Sequence, residues 1–173
     1  MKKRIQKYLS GEKEGFSLVE LIIVIAIMAI LIGVIALAVI PYLARSRESK
    51  DLQALGAISS SLSSAVANTQ VTGSGNFVYN GKKTGSGADA TATGDAAKVN
   101  DEMVSLLGTG STKLGSKNAT GAKIWCKFDV ATNEIKVYAG SAANKAVLLE
   151  SNTTGFDEDL NSDASGKALV VSN

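Results

Sequence analysis

The feature that most constrains this chain is an unbroken apolar run of twenty residues, Leu21–Ile40. No residue of this run has a polar side chain, and Gly33 is its only glycine. Twenty residues form a helix of about 30 Å, which matches the hydrocarbon thickness of a bilayer. The rest of the 173-residue chain is rich in Ser, Thr, Gly, Ala and Asn, as expected of a domain with long loops. The sequence therefore predicts one membrane segment followed by one exported domain.

Composition excludes several classes of function. The chain contains no His, which removes His-based triads, His metal sites and His pH switches. Its one Cys, Cys126, allows no intrachain disulfide and is expected to be a small buried hydrophobe. The net charge of +2 does not indicate nucleic-acid binding, and there is no Gly-rich phosphate loop. We therefore expect a protein that is not an enzyme and uses no cofactor.

The residues before the apolar run include five Lys or Arg, which predicts a cytoplasmic N terminus. A secretory signal would have a shorter apolar core and then a small-residue cleavage site, and neither is present. An uncleaved signal anchor is the simplest reading of these features. It leaves Glu20 unexplained, because a carboxylate at the edge of the apolar run costs a few kcal/mol unless it has a partner.

The stretch Gly15-Phe16-Ser17-Leu18-Val19-Glu20, followed by the apolar run, closely resembles the class III signal of type IV pilins. The resemblance is specific over about residues 13–42. It implies that a membrane prepilin peptidase cuts after Gly15 and then N-methylates Phe16. Removal of this leader leaves 13 basic and 14 acidic residues in the mature chain.

In such a family Glu20 is expected to neutralise the Phe16 amine of a neighbouring subunit. Two unpaired charges in an apolar environment are costly, so their pairing favours one axial register between subunits. The alternative is that Glu20 only caps its own helix.

Many Gram-negative pilins have a Gly and a Pro eight residues apart in this helix, at positions that correspond to Ala29 and Leu37. Here Gly33 and Pro41 keep the spacing but lie four residues later. Because Pro removes a backbone donor and Gly adds backbone freedom, we expect a loosened segment between them in the fibre. The alternative is a simple kink in the helix that sets the direction of the soluble domain.

Periodicity predicts an α+β chain with a long N-terminal helix over 16–69 and a second helix over 95–107. In the long helix, Arg47 and Asp51 are spaced for an ion pair. Alternating residues predict five strands, over 76–80, 122–130, 134–139, 145–149 and 168–171. In the second of these, Cys126 faces one way and Trp125 the other. An antiparallel sheet packed on the second half of the long helix follows, as in the type IV pilin fold.

The predicted organisation is a leader at 1–15, the membrane or filament-core half of the helix at 16–44, and a soluble head at 45–173. The head has one candidate metal site, an acidic run whose alternating oxygen ligands could hold Ca²⁺. These ligands are Asp157, Asp159, Asn161 and Asp163. An EF-hand loop would need Gly at Ser162 and Glu at Ala168, so a solvated acidic loop is the alternative.

Three functions are compatible with these features. The first is a structural subunit of a type IV pilus for adhesion, motility or biofilm formation, and the lack of a disulfide fits a Gram-positive, clostridial pilin. Its partners would be other copies of itself, the prepilin peptidase, the assembly ATPase with its platform, and the membrane. It would be a single-pass membrane protein before assembly and a surface pilus (fimbrium) afterwards. The alternatives are a pseudopilin of a type II secretion system or a minor or competence pilin, and a membrane-tethered enzyme or ligand-binding protein.

Overall fold

The computed structural model describes residues 16–89, 91–110, 112–143, 145–147, 157–159 and 168–172, the backbone alone in 157–159. The chain divides into two units between Pro41 and Tyr42. The first unit contains the beginning of helix α1, Leu18–Thr69, and the second unit contains the rest of that helix and all the strands.

Helix α1 has 52 residues and continues without interruption through Pro41. Among the described residues it is the one helix long and apolar enough to cross a membrane. Its most apolar stretch of 18 residues has a mean hydropathy of 3.4 and is not buried. Pro41 has no backbone N–H, so the carbonyl of Leu37 has no helical partner there. The loosening between Gly33 and Pro41 expected in a fibre stays a prediction, because a single chain holds no fibre contacts.

The second half of α1 is amphipathic and packs on a small sheet. Its buried positions Leu55, Ile58, Leu62 and Ala65 recur at helical spacing and join the main core. The other elements of the head are β1 (Ser74–Tyr79), α2 (Asp95–Leu107), β2 (Lys123–Asp129), β3 (Glu134–Gly140), β4 (Lys145–Val147), β5 (Asp157–Asp159) and β6 (Val170–Ser172).

The strands form a four-stranded antiparallel sheet of order β1-β2-β3-β6, and β4 and β5 form a separate antiparallel pair. The β2–β3 turn is compact because the Asp129 carboxylate accepts the Ala131 N–H at 2.9 Å and Asn133 adopts a φ of 53°. The long helix and small antiparallel sheet confirm the predicted α+β class and are consistent with the type IV pilin fold.

Each face of the sheet carries a buried apolar cluster. Cys126 lies in the main core as predicted, fully buried. Trp125 points to the opposite face but is only 8% exposed, because it packs in a second cluster with Val78, Tyr138, Ala146 and Ala168. The rings of Trp125 and Tyr138 are nearly parallel, with centroids 6.4 Å apart. The alternation of β2 thus separates two apolar clusters.

Asp51 of α1 has different partners from the one predicted. One carboxylate oxygen accepts the Gly115 N–H and the other accepts the Ser116 N–H, each at 2.8 Å. Asp51 is buried, whereas Arg47 is exposed and forms no ion pair with it in the described part of the chain. The i,i+4 pair was a wrong prediction, because two backbone amides from a loop 64 and 65 residues later occupy the carboxylate.

Candidate processing and assembly site

The predicted cleavage position lies directly before α1. Gly15 lies outside the described residues, while Phe16 and Ser17 precede the first helical residue, Leu18. Phe16 is 90% exposed. An exposed, non-helical stretch is the kind of backbone that proteases reach. Where it can be described, the structure is therefore open on the C-terminal side of the predicted scissile bond.

Ser17 and Glu20 together cap the start of α1. The carbonyl of Ser17 accepts the N–H of Leu21 at 3.1 Å, so Ser17 is the capping residue of the helix. Its hydroxyl accepts the Val19 N–H at 3.4 Å, and Glu20 Oε2 accepts the Ser17 N–H at 2.9 Å. The order Ser-x-x-Glu with a returning carboxylate is a capping box. Two backbone donors at the helix start thereby gain partners without a neighbouring subunit.

This geometry shows that Glu20 caps its own helix in the single chain. It leaves the assembly role open, because a carboxylate has two oxygens and about four acceptor positions. The Ser17 N–H uses one position on Oε2. Capping and pairing with an amine are therefore compatible roles, and the second stays a prediction.

The signal for Ser17 was present in the sequence. A Ser followed three residues later by Glu, directly before an apolar run, is the pattern of a capping box. Capping was one of the two roles predicted for Glu20, whereas no role was predicted for Ser17. The structure adds Ser17 to the candidate site as the residue that fixes where α1 begins.

The apolar residues of the first unit lack partners among the residues of that unit that the structure describes. The large hydrophobic side chains from Leu21 to Ile40 are between 41% and 79% exposed. A Cβ built on Gly33 would meet no atom within 4 Å, so no contact with a described residue requires a glycine there. A surface of this kind is stable in lipid or against other apolar helices, and not in water.

The candidate calcium ligands are only partly described. The backbones of Asp157 and Asp159 belong to β5, opposite Val147 and Lys145, so a strand replaces the loop expected at these positions. Asn161 and Asp163 lie outside the described residues. The calcium site remains a prediction.

The surroundings of Cys126 suppress its reactivity. It is a free, fully buried thiol, and burial raises its pKa far above the usual range. Because the thiolate is the reactive form, the folded protein keeps this residue inert. The prediction of a small buried hydrophobe is confirmed.

Residues 12–39 match a family model described as the prokaryotic N-terminal methylation motif. No curated protein and no solved structure matches the chain significantly. The motif indicates a pilin-like or pseudopilin-like prepilin, and it implies a structural protein that a prepilin peptidase processes for assembly. Together with the long apolar helix it is consistent with a membrane-anchored precursor, while the clostridial origin stays a prediction. Residues 12–39 thus have the character of a class III signal like that of type IV pilins.

Proposed function

We propose that this chain is a structural subunit of a type IV pilus, cut after Gly15, stored in the membrane and assembled into a surface fibre through α1. The observation that carries the proposal is the apolar surface from Leu21 to Ile40, more than 40% exposed at every large side chain. Such a surface has two suitable environments, the bilayer and the equivalent helices of other copies. A subunit that moves between them exchanges one apolar environment for another.

Because both environments are apolar, burial of the helix does not by itself fix how neighbouring helices align in the fibre. Charged groups near one end of an apolar helix can fix this alignment, since each charge must lie next to its partner. Glu20 and the Phe16 amine released by cleavage are the two charges near that end of the segment. In the proposed fibre they pair between neighbours and set the axial register.

The same motif and helix would also suit a pseudopilin, which acts in a short assembly. Imaging separates the two functions. Cells that express the chain are labelled with an antibody to residues 71–173, and fibres sheared from the surface are collected. We expect long labelled fibres whose subunit begins at Phe16. Mature protein that stays in the membrane without fibres, even when overproduced, would contradict the pilus subunit and favour the pseudopilin.

The leader provides a matched pair of variants for the same experiment. Gly15→Leu adds a bulky side chain at the scissile bond and should block cleavage and fibres together. Gly11→Leu makes the same change four residues earlier in the leader and should leave both intact. If both variants were processed normally, the assignment of Gly15 would be contradicted.

A further inference from the structure

The segment that follows the apolar run has nearly equal numbers of basic and acidic residues, but only its basic residues are exposed. Residues 45–51 contain three basic and two acidic side chains. The two acids are turned inward, since Glu48 is 6% exposed and Asp51 is 4% exposed. The three basic residues, Arg45, Arg47 and Lys50, are exposed. The surface of this segment is therefore cationic.

Hydrogen bonds within the head hold Asp51 in its inward position. Its two carboxylate oxygens accept the N–H groups of Gly115 and Ser116, so this carboxylate already has partners inside the second unit. In the described part of the chain, Arg45, Arg47 and Lys50 form no ion pair with a carboxylate. Three cations are thus available to an external partner.

The cations surround much of the helix. At about 100° per residue, Arg45, Lys50 and Arg47 lie over an arc of about 200°, and Glu48 and Asp51 lie in the remaining arc. A protein partner docked on one side of a helix covers a narrower arc than this. Phospholipid headgroups, which are small and mobile, can reach cations that point in several directions. The distribution favours a lipid surface over a second copy of the chain.

The position in the sequence also fits a lipid surface. Arg45 comes five residues after Ile40, the last residue of the apolar run. Even a fully extended chain would separate the Cα atoms of Ile40 and Arg45 by at most about 18 Å. A long basic side chain can reach back over part of this distance toward the bilayer surface. Tyr42, between them, is 73% exposed. A tyrosine followed by basic residues at the end of an apolar helix is typical of a membrane–water interface.

We propose that Arg45, Arg47 and Lys50 form a cationic belt that binds the phosphate groups of anionic lipids in the extracytoplasmic leaflet before assembly. The inference rests on the proposed membrane-stored state. Each basic residue at an anionic surface contributes about fivefold to the preference for anionic over zwitterionic lipid, so three contribute about 100-fold. Bound headgroups would hold the end of the apolar run at the bilayer surface until the subunit leaves the membrane.

The test uses the full chain in nanodiscs of phosphatidylcholine alone or with 30% phosphatidylglycerol. Ser49→Cys places a reactive thiol on the exposed arc for a fluorescent label, and the buried Cys126 stays unlabelled. Acrylamide quenching then measures the access of water to the belt. We expect quenching in the anionic nanodiscs to fall to about half of its value in the neutral ones. We also expect 1 M salt, which shortens the screening length to about 3 Å, to reverse the fall.

Two triple variants in the Ser49→Cys background separate the belt from overall charge. The first variant combines Arg45→Gln, Arg47→Gln and Lys50→Gln, and it should be quenched equally in anionic and neutral nanodiscs. The second variant combines Lys82→Gln, Lys83→Gln and Lys113→Gln. It loses the same charge from exposed positions elsewhere in the head and should keep the difference in quenching between the two lipids.

Equal quenching of the wild-type belt in both lipids, or equal behaviour of the two triple variants, would overturn the proposed lipid-binding belt. So would protection in neutral nanodiscs that grows with the number of copies per disc, because the partner would then be a second copy. Failure of the wild-type chain to insert at all would instead contradict the membrane-stored state.

Discussion

Substitution of Glu20 tests the assembly mechanism, because two variants separate its two roles. Glu20→Ala removes the carboxylate that accepts the Ser17 N–H at 2.9 Å and also removes the charge. Glu20→Gln keeps an acceptor at the same position, since Gln also functions in a capping box, but removes the charge. The cap alone is worth about 1 kcal/mol. An unpaired amine in the apolar fibre costs about 3–5 kcal/mol at every subunit contact.

We therefore expect both variants to lose fibres, because the charge is the larger contribution and both variants lack it. Leader cleavage and membrane insertion should continue, since a lone carboxylate at the bilayer edge is itself costly and its removal does not impede storage. The assay compares the yield of sheared fibres with the mature protein in the membranes of the same cells. Normal fibres from Glu20→Gln, with fibres lost only in Glu20→Ala, would show that Glu20 acts as a helix cap. The register mechanism would then be refuted.

Further outcomes are expected for the processed N terminus, for two glycines and for Cys126. Mass spectrometry of protein from cells should find residues 16–173 with one added methyl group on the Phe16 amine, and an intact leader would contradict the signal. Gly75→Ala should lower the free energy of unfolding by about 1–3 kcal/mol, because its Cβ would lie 2.6 Å from a ring atom of the buried Phe128. Gly56→Ala, where a Cβ meets nothing within 4 Å, should cost no stability in chemical denaturation. Cys126 should react with a thiol reagent only after unfolding. Because burial raises its pKa, its contribution to stability should be full below about pH 8.5 and decline at higher pH, which denaturant titrations at several pH values would show.

Local patterns predicted most of the fold. The helical period placed the second helix at 95–107, where α2 lies, and alternation placed β2 and β3 within two residues of their observed ends. These signals are reliable where one face of an element is more apolar than the other, because the spacing of the apolar residues then shows the period of the element. The buried side of β2, with Cys126 in the core, follows directly from the alternation.

The features that the sequence did not predict depend on long-range contacts. The partners of Asp51 are backbone amides at Gly115 and Ser116, and backbone donors have no signature in residue type. A local rule therefore selected Arg47, the nearest cation at helical spacing. The burial of Trp125 likewise depends on Ala146 and Ala168, which reach the outer face of the sheet from later parts of the chain. Period alone cannot show that a second layer covers a face.

The capping box explains how one carboxylate can serve both the stored and the assembled subunit. The positive end of the α1 dipole stabilises Glu20 and disfavours the Phe16 ammonium ion that cleavage creates beside it. The Ser17 N–H occupies Oε2, and this bond needs no neighbour. Oε1 then has acceptor positions left for the ammonium group of the next subunit. Assembly would therefore give Oε1 a new partner, while the bond from Ser17 to Oε2 keeps the helix start intact. For this reason the loss of charge in Glu20→Gln should affect the fibre far more than the stored subunit.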